Sequence, residues 1–148
     1  MIEPSQFEPA EISEELDGMS CDLIETALDA LACGMDISVL VSLENQEGQR
    51  LTQVFNDDSI VACLDGAKEY IASDQALVEG LSVVRYALTY LGSVEVEPEL
   101  FEDALILEYG EKGAEAAYSA YSLVSGIGEG ENFLWTDPAP AGLCQLLV

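Results

Sequence analysis

Apolar positions along this chain recur first at a helical period, then at a period of two, then at a helical period again, and mainly at a period of two thereafter. Ile12, Leu16, Met19 and Leu23 stand at i, i+4, i+7 and i+11, which predicts a helix opening near Pro9 behind a loose leader over residues 1–8. Gly18 is expected to interrupt it. Ser20 then serves as a new N-cap, with Asp22 favouring the helix dipole and Met19 and Ile24 closing a hydrophobic staple. Ile24, Ala27, Leu28 and Leu31 line one face, Asp22, Glu25 and Asp29 the other, and Gly34 takes the C′ position.

Residues 37–43 and 50–55 read as strands joined by the polar loop 44–49. Asn56-Asp57-Asp58 is expected to cap a second helix whose buried stripe is Ile60, Leu64, Ala67 and Ile71. Residues 75–80 form a connector without a clear period. In 83–91, Val84, Tyr86, Leu88 and Tyr90 alternate with Arg85, Ala87 and Thr89, the pattern of an antiparallel strand. Further strands are expected at 104–109, 117–124 and 132–136. The third competes with a helix, because its alanines and the spacing of Tyr118, Tyr121 and Val124 suit one; the glycine-flanked loop 110–113 favours a hairpin. The tail 138–148 should dock Leu143, Leu146 and Leu147 on the core. These elements predict one α+β domain over residues 1–148: an antiparallel sheet of about five or six strands with two helices packed on one face.

Composition supports a packed domain and limits its chemistry. The chain has 148 residues, 49% of them hydrophobic, which excludes wholesale disorder. No apolar run approaches the roughly 20 residues of a membrane span, so a soluble, cytoplasmic protein is expected. Cys21, Cys33, Cys63 and Cys144 show no C-x-x-C spacing, and their apolar or small neighbours suit buried, reduced thiols. With no histidine in the chain, Ser-His-Asp and Cys-His catalysis are excluded within it and zinc ligation is disfavoured. Neither a cofactor nor a metal is expected.

Charge changes the picture most. Twenty-nine acids stand against four bases, a formal charge of −25. Arg50, Lys68, Arg85 and Lys112 are scattered and cannot track a phosphate backbone, so binding to nucleic acid or to an anionic membrane is not expected. Arg50 and Arg85, each on an expected strand, should neutralise nearby carboxylates. Gly126-Ile127-Gly128-Glu129-Gly130 superficially suggests a dinucleotide loop, but Glu129 and Glu131 intrude and no helix follows. Asp57-Asp58 with Asp65-Gly66 lacks the alternating oxygens of a calcium loop.

The acids form two dense blocks: ten in residues 1–36 without a base, and eight in 95–115 with Lys112 alone. Glu11, Glu15, Asp22, Glu25 and Asp29 recur at helical spacings opposite the apolar stripe, about 5–6 Å between neighbours. Glu95, Glu97 and Glu99 share one side of an extended segment, about 6.5 Å apart. Both intervals are of the order of the phosphate spacing in nucleic acid. The expected function is therefore a non-enzymatic binding protein whose acidic face meets a basic protein surface, in the manner of an inhibitor, an immunity protein or a nucleic-acid mimic. These eight acids are its expected contacts. Two alternatives stand beside it. One is an ordinary domain made acidic by a high-salt environment. The other is a carboxylate enzyme or sugar-binding module in which Glu108 and Glu111 flank Tyr109, Tyr118, Tyr121 and Trp135.

Overall fold

A computed structural model describes residues 13–148 apart from Asp57. Expectations for the leader 1–8, Glu11, Ile12 and Asp57 lie outside the described residues. The first helix, α1, spans Glu14–Ala32 without a break: the N-cap is Ser13, whose Oγ accepts from the Leu16 N–H at 3.1 Å. Gly18 is exposed on its outer side and does not interrupt it. Ser20 is therefore not a cap but a buried mid-helix residue. The stripe Leu16, Met19, Leu23, Ala27 and Leu31 keeps its helical period straight through Gly18, and burial of that stripe outweighs the cost of about 1 kcal/mol for one glycine.

After α1 come β1 (Val39–Asn45), β2 (Arg50–Phe55) and α2 (Ile60–Ala72). The cap of α2 is Ser59, whose Oγ accepts from the Ala62 N–H, rather than the preceding Asn-Asp-Asp run. The unassigned connector holds a short strand, β3 (Leu77–Val78), which turns back into β4 (Leu81–Glu97). Glu79 and Gly80 both have positive φ, the two-residue turn whose twist suits a hairpin. β5 (Leu100–Glu111), β6 (Ala117–Ser125), β7 (Leu134–Trp135) and β8 (Ala139–Cys144) complete the chain. The segment 117–125 is a strand, as the glycine-flanked loop implied, and its buried positions alternate.

All strand pairs are antiparallel. The order is β2-β1-β4-β5-β6, with β7 and β8 both on the outer edge of β6 and β3 on the start of β4. The class is α+β, but the two helices do not share a face. Leu40, Ala87, Leu105, Leu107, Tyr118 and Ala120 pack under α1, whereas Val39, Val41, Leu43, Tyr86 and Leu88 pack with Cys63, Ala67 and Ile71 of α2. Successive strand residues point to opposite sides, so the helices cover opposite faces. β1 is buried at all seven positions because it lies between them. The near-continuous apolar run Val39-Leu40-Val41-Ser42-Leu43 carries that information, since a strand covered on both faces loses its alternation.

The tail docks in part as expected. Leu146 and Leu147 join the α2-side core, and the Leu147 N–H donates to the Tyr86 hydroxyl at 3.3 Å. Leu143, by contrast, is exposed on β8. Pro140 falls in this strand at the edge of the sheet, where a missing N–H costs nothing in the ladder.

Candidate protein-binding surface

The two ends of the sheet differ in chemistry. At the end where β1 finishes and β4 begins, direct cross-strand partners Arg50, Glu44, Arg85 and Glu111 form a row of alternating charge across β2, β1, β4 and β5 on the α1 side. Glu44, with 4% of its side chain exposed, accepts from Arg85 Nε through Oε1 at 2.6 Å and from Arg50 Nη2 through Oε2 at 3.1 Å. Glu111 Oε2 accepts from Arg85 Nη1 at 3.1 Å and from the Ser13 hydroxyl at 2.9 Å, tying the cap of α1 to the row. Asp22 of α1 closes the other end on Arg50 Nη1 at 2.8 Å. The bond to Asp22 holds the Arg50 guanidinium above its usual pKa; for Arg85, burial opposes and the bonds to Glu44 and Glu111 prevail in the same direction. The expected neutralising role of both arginines is thus seen directly.

On the α2 side, Lys68 Nζ contacts Glu108 Oε1 at 3.0 Å and the Tyr90 hydroxyl donates to Glu108 Oε2 at 3.3 Å. Burial, then the nearby Glu108 charge, pushes Tyr90 up to about 12 and the Cys144 thiol up to about 11. Near neutral pH both remain protonated, so Cys144 is a poor nucleophile. Glu108 and Glu111, three apart on β5, face opposite sides of the sheet and are each ion-paired. They cannot form the facing carboxylate pair of a glycosidase. Tyr109 and Tyr118 are buried and stacked with centroids 5.7 Å apart under α1, with Tyr118 also reaching a cavity bounded by residues 113–116 and Leu143; Tyr121 is half-buried and Trp135 exposed.

The loop 126–130 has its own structural task. The Gly128 N–H donates to the Leu31 carbonyl at the end of α1, and the Glu129 N–H to Gly126. A Cβ on Gly34 would lie 3.3 Å from Gly128 Cα, so two glycine backbones meet there. The Gly128 amide thus caps the C-terminus of α1 and the Glu129 amide closes the loop on itself, so both are spent. The cysteines divide: Cys63 is buried and Cys144 half-buried, but Cys21, on the outer side of α1, and Cys33, the C-cap just past its end, are exposed, against expectation. No disulfide joins these four residues.

Of the acids expected to meet a partner, Glu15, Asp22, Glu25 and Asp29 all lie exposed on the outer face of α1, joined there by Glu14. Asp22 is partly spent on Arg50. Glu95, Glu97 and Glu99 are exposed too, but not as a uniform extended row: the register slips between Glu95 and Glu97, and Glu99 occupies the Pro98-Glu99 turn at φ 66°. Glu102 and Asp103, across the hairpin, add two further exposed acids. Exposed acids also stand in pairs on α2 (Asp65 and Glu69) and in the loop after β6 (Glu129 and Glu131), and others occur around the surface, but α1 and this hairpin carry the largest groups among the described residues. Among the described residues, no group of three or more metal-ligating side chains occurs and no helix is long and apolar enough to cross a membrane. Comparison of the chain with family models, curated proteins and solved structures finds no match.

Proposed function

We propose that this protein is an acidic binding module that engages a basic surface on a partner protein through the outer face of α1. The observation that carries this reading is the disposition of charge. Three of the four bases are taken up by Asp22, Glu44, Glu108 and Glu111, and only Arg50, through Asp22, touches the outer face of α1, which leaves Glu14, Glu15, Glu25 and Asp29 facing solvent there with no ion pair among the described residues. The pairs through Glu44 and Glu111 join neighbouring strands, and Lys68–Glu108 ties α2 to the sheet. Charges about 5–6 Å apart on a rigid helix act jointly on a cationic partner, accelerating encounter towards 10⁸–10⁹ M⁻¹s⁻¹ at low salt.

The test is capture from an extract of the source cells at low salt, run in parallel with wild-type protein and with a Glu15→Lys, Glu25→Lys, Asp29→Lys variant. A basic protein retained by the wild type, released as salt rises and lost with the variant supports the reading. Retention that is indifferent to salt and to the three substitutions refutes it. The variant relieves repulsion along α1 and is expected to fold with equal or greater stability.

A further inference from the structure

The end of the sheet opposite the ion row carries a different kind of surface. β1 pairs with β4 only as far as Tyr90, and β6 pairs with β5 only from Ala104. Residues 91–103 therefore leave the sheet as a two-stranded arm whose outer edges have no strand beside them. Such a ribbon is marginal alone, and its tip is the opposite of a solvated loop: Val96, Leu100 and Phe101 are exposed, Phe101 by 59%. Trp135, exposed by 55%, lies on the same side of the sheet as Phe101, two strands across, on the order of 12 Å away by strand geometry. It is held by stacking on buried Phe133 at 5.9 Å.

This is not random surface. Of thirteen large hydrophobic residues exposed among those described, ten (all but Leu51, Leu77 and Leu143) lie at this end of the sheet. None of the four bases does: Arg50, Arg85 and Lys112 are at the far end and Lys68 is held by Glu108. The apolar residues of the arm are instead interleaved with acids, Glu95 standing directly across from Phe101. α1 reaches only the base of the arm, where Leu91 packs against its core, and Phe101 beyond it stays exposed.

Resting on the function proposed above, we infer that the β4–β5 arm is the anchor of the interface. Phe101, with Trp135 on the same side, enters an apolar pocket on the partner, and Glu95 and Asp103, which share that side of the ribbon, meet lysines or arginines on the pocket's rim. Aromatic anchors in desolvated pockets carry much of the affinity of protein interfaces, while rim charges set encounter rate and selectivity. A second copy of this chain is the wrong occupant, because two arms meeting would bring together ten acids with no base at either tip, within a Debye length of about 8 Å. A neutral apolar partner would leave those acids beside a desolvated surface without compensation. The chemistry selects a pocket that is apolar inside and cationic around.

The experiment titrates the intact protein with three short synthetic peptides of equal length, alternating lysine with leucine, lysine with serine, and serine with leucine. Binding is read by calorimetry and by amide shifts over residues 91–103. The lysine–leucine peptide is expected to bind at least about tenfold tighter than the lysine–serine peptide, with shifts centred on the arm. A Phe101→Ala, Trp135→Ala variant of unchanged melting temperature is expected to lose that margin and keep the lysine–serine affinity. If both lysine peptides bind equally at low salt and the variant alters neither, the arm is no anchor while the acidic reading stands. If neither lysine peptide binds, the acidic reading falls with it. Equal binding of the serine–leucine peptide, or a dimer in sedimentation that Phe101→Ala dissolves, overturns the inferred partner.

Discussion

Ser20 lies mid-helix in α1 with 5% of its surface exposed, and its Oγ finds no hydrogen-bond partner among the described residues. A buried hydroxyl without a partner costs about 1–3 kcal/mol, and serine is also a weaker helix former than alanine. Ser20→Ala is therefore expected to stabilise the fold by about 1 kcal/mol, seen as a higher urea midpoint at unchanged slope; a lower midpoint would show that the hydroxyl is bonded. From sequence, this residue reads as a cap because Gly18 precedes it and Asp22 follows. Whether such a serine begins a helix or sits inside one depends on whether Leu16 and Leu23 pack on the same floor. They do, and that contact with β4 and β5 is remote in sequence.

Among elements, β1 carries the densest set of obligations. Its odd residues serve α2, Leu40 serves α1, and Glu44 and Asn45 near its end hold the polar contacts. Asn45 Nδ2 donates to the Val78 carbonyl at 2.9 Å, joining the β1–β2 turn to β3. Glu44 and Asn45 look like loop residues in the sequence because they are polar, yet both are buried. Their partners Arg50 and Arg85 are near enough in the pattern to expect neutralisation, but the row itself depends on strand register. Arg85→Ala is expected to cost about 2–4 kcal/mol, since Glu44 would stay buried with one partner fewer. Asp22→Asn, at the exposed end of the same row, should cost less than about 1 kcal/mol. Urea unfolding of the two variants checks the contrast; equal losses would mean that the row acts only at the surface. β2, α2 and β6 were legible almost to the residue, because their patterns are local. The arm was not: β4 and β5 run far past their apolar cores, and residues 94–103 read as a charged stretch whose pairing is stabilised only by each other and by the sheet that launches them.

For the molecule as a whole, the ion pairs and the net charge pull in opposite directions. Glu44, which bridges Arg50 and Arg85, is buried, so salt screens that part of the network weakly, whereas most of the described acids face water and repel. Raising sodium chloride from low to physiological concentration should therefore raise the melting temperature. A fold already cooperative at low salt would speak against acidity as adaptation to a saline interior, and one that melts out without molar salt would favour that alternative over the binding reading. The same experiment separates stability from recognition, because salt should weaken complex formation while strengthening the free protein.

The strand order also sets a timetable for synthesis. The first eighty residues contain both helices and the β1–β2 pair, yet the floor on which α1 rests is built mainly from β4 and the strands after it. Until β4 leaves the ribosome, α2 has β1 and β2 to hold, with Tyr70 against Phe55, but α1 has only β1 and its apolar stripe stays open to other chains. At roughly 5–20 residues per second, that exposure lasts for seconds. The heavy negative charge of those early residues, whatever it later binds, keeps nascent copies apart during the wait.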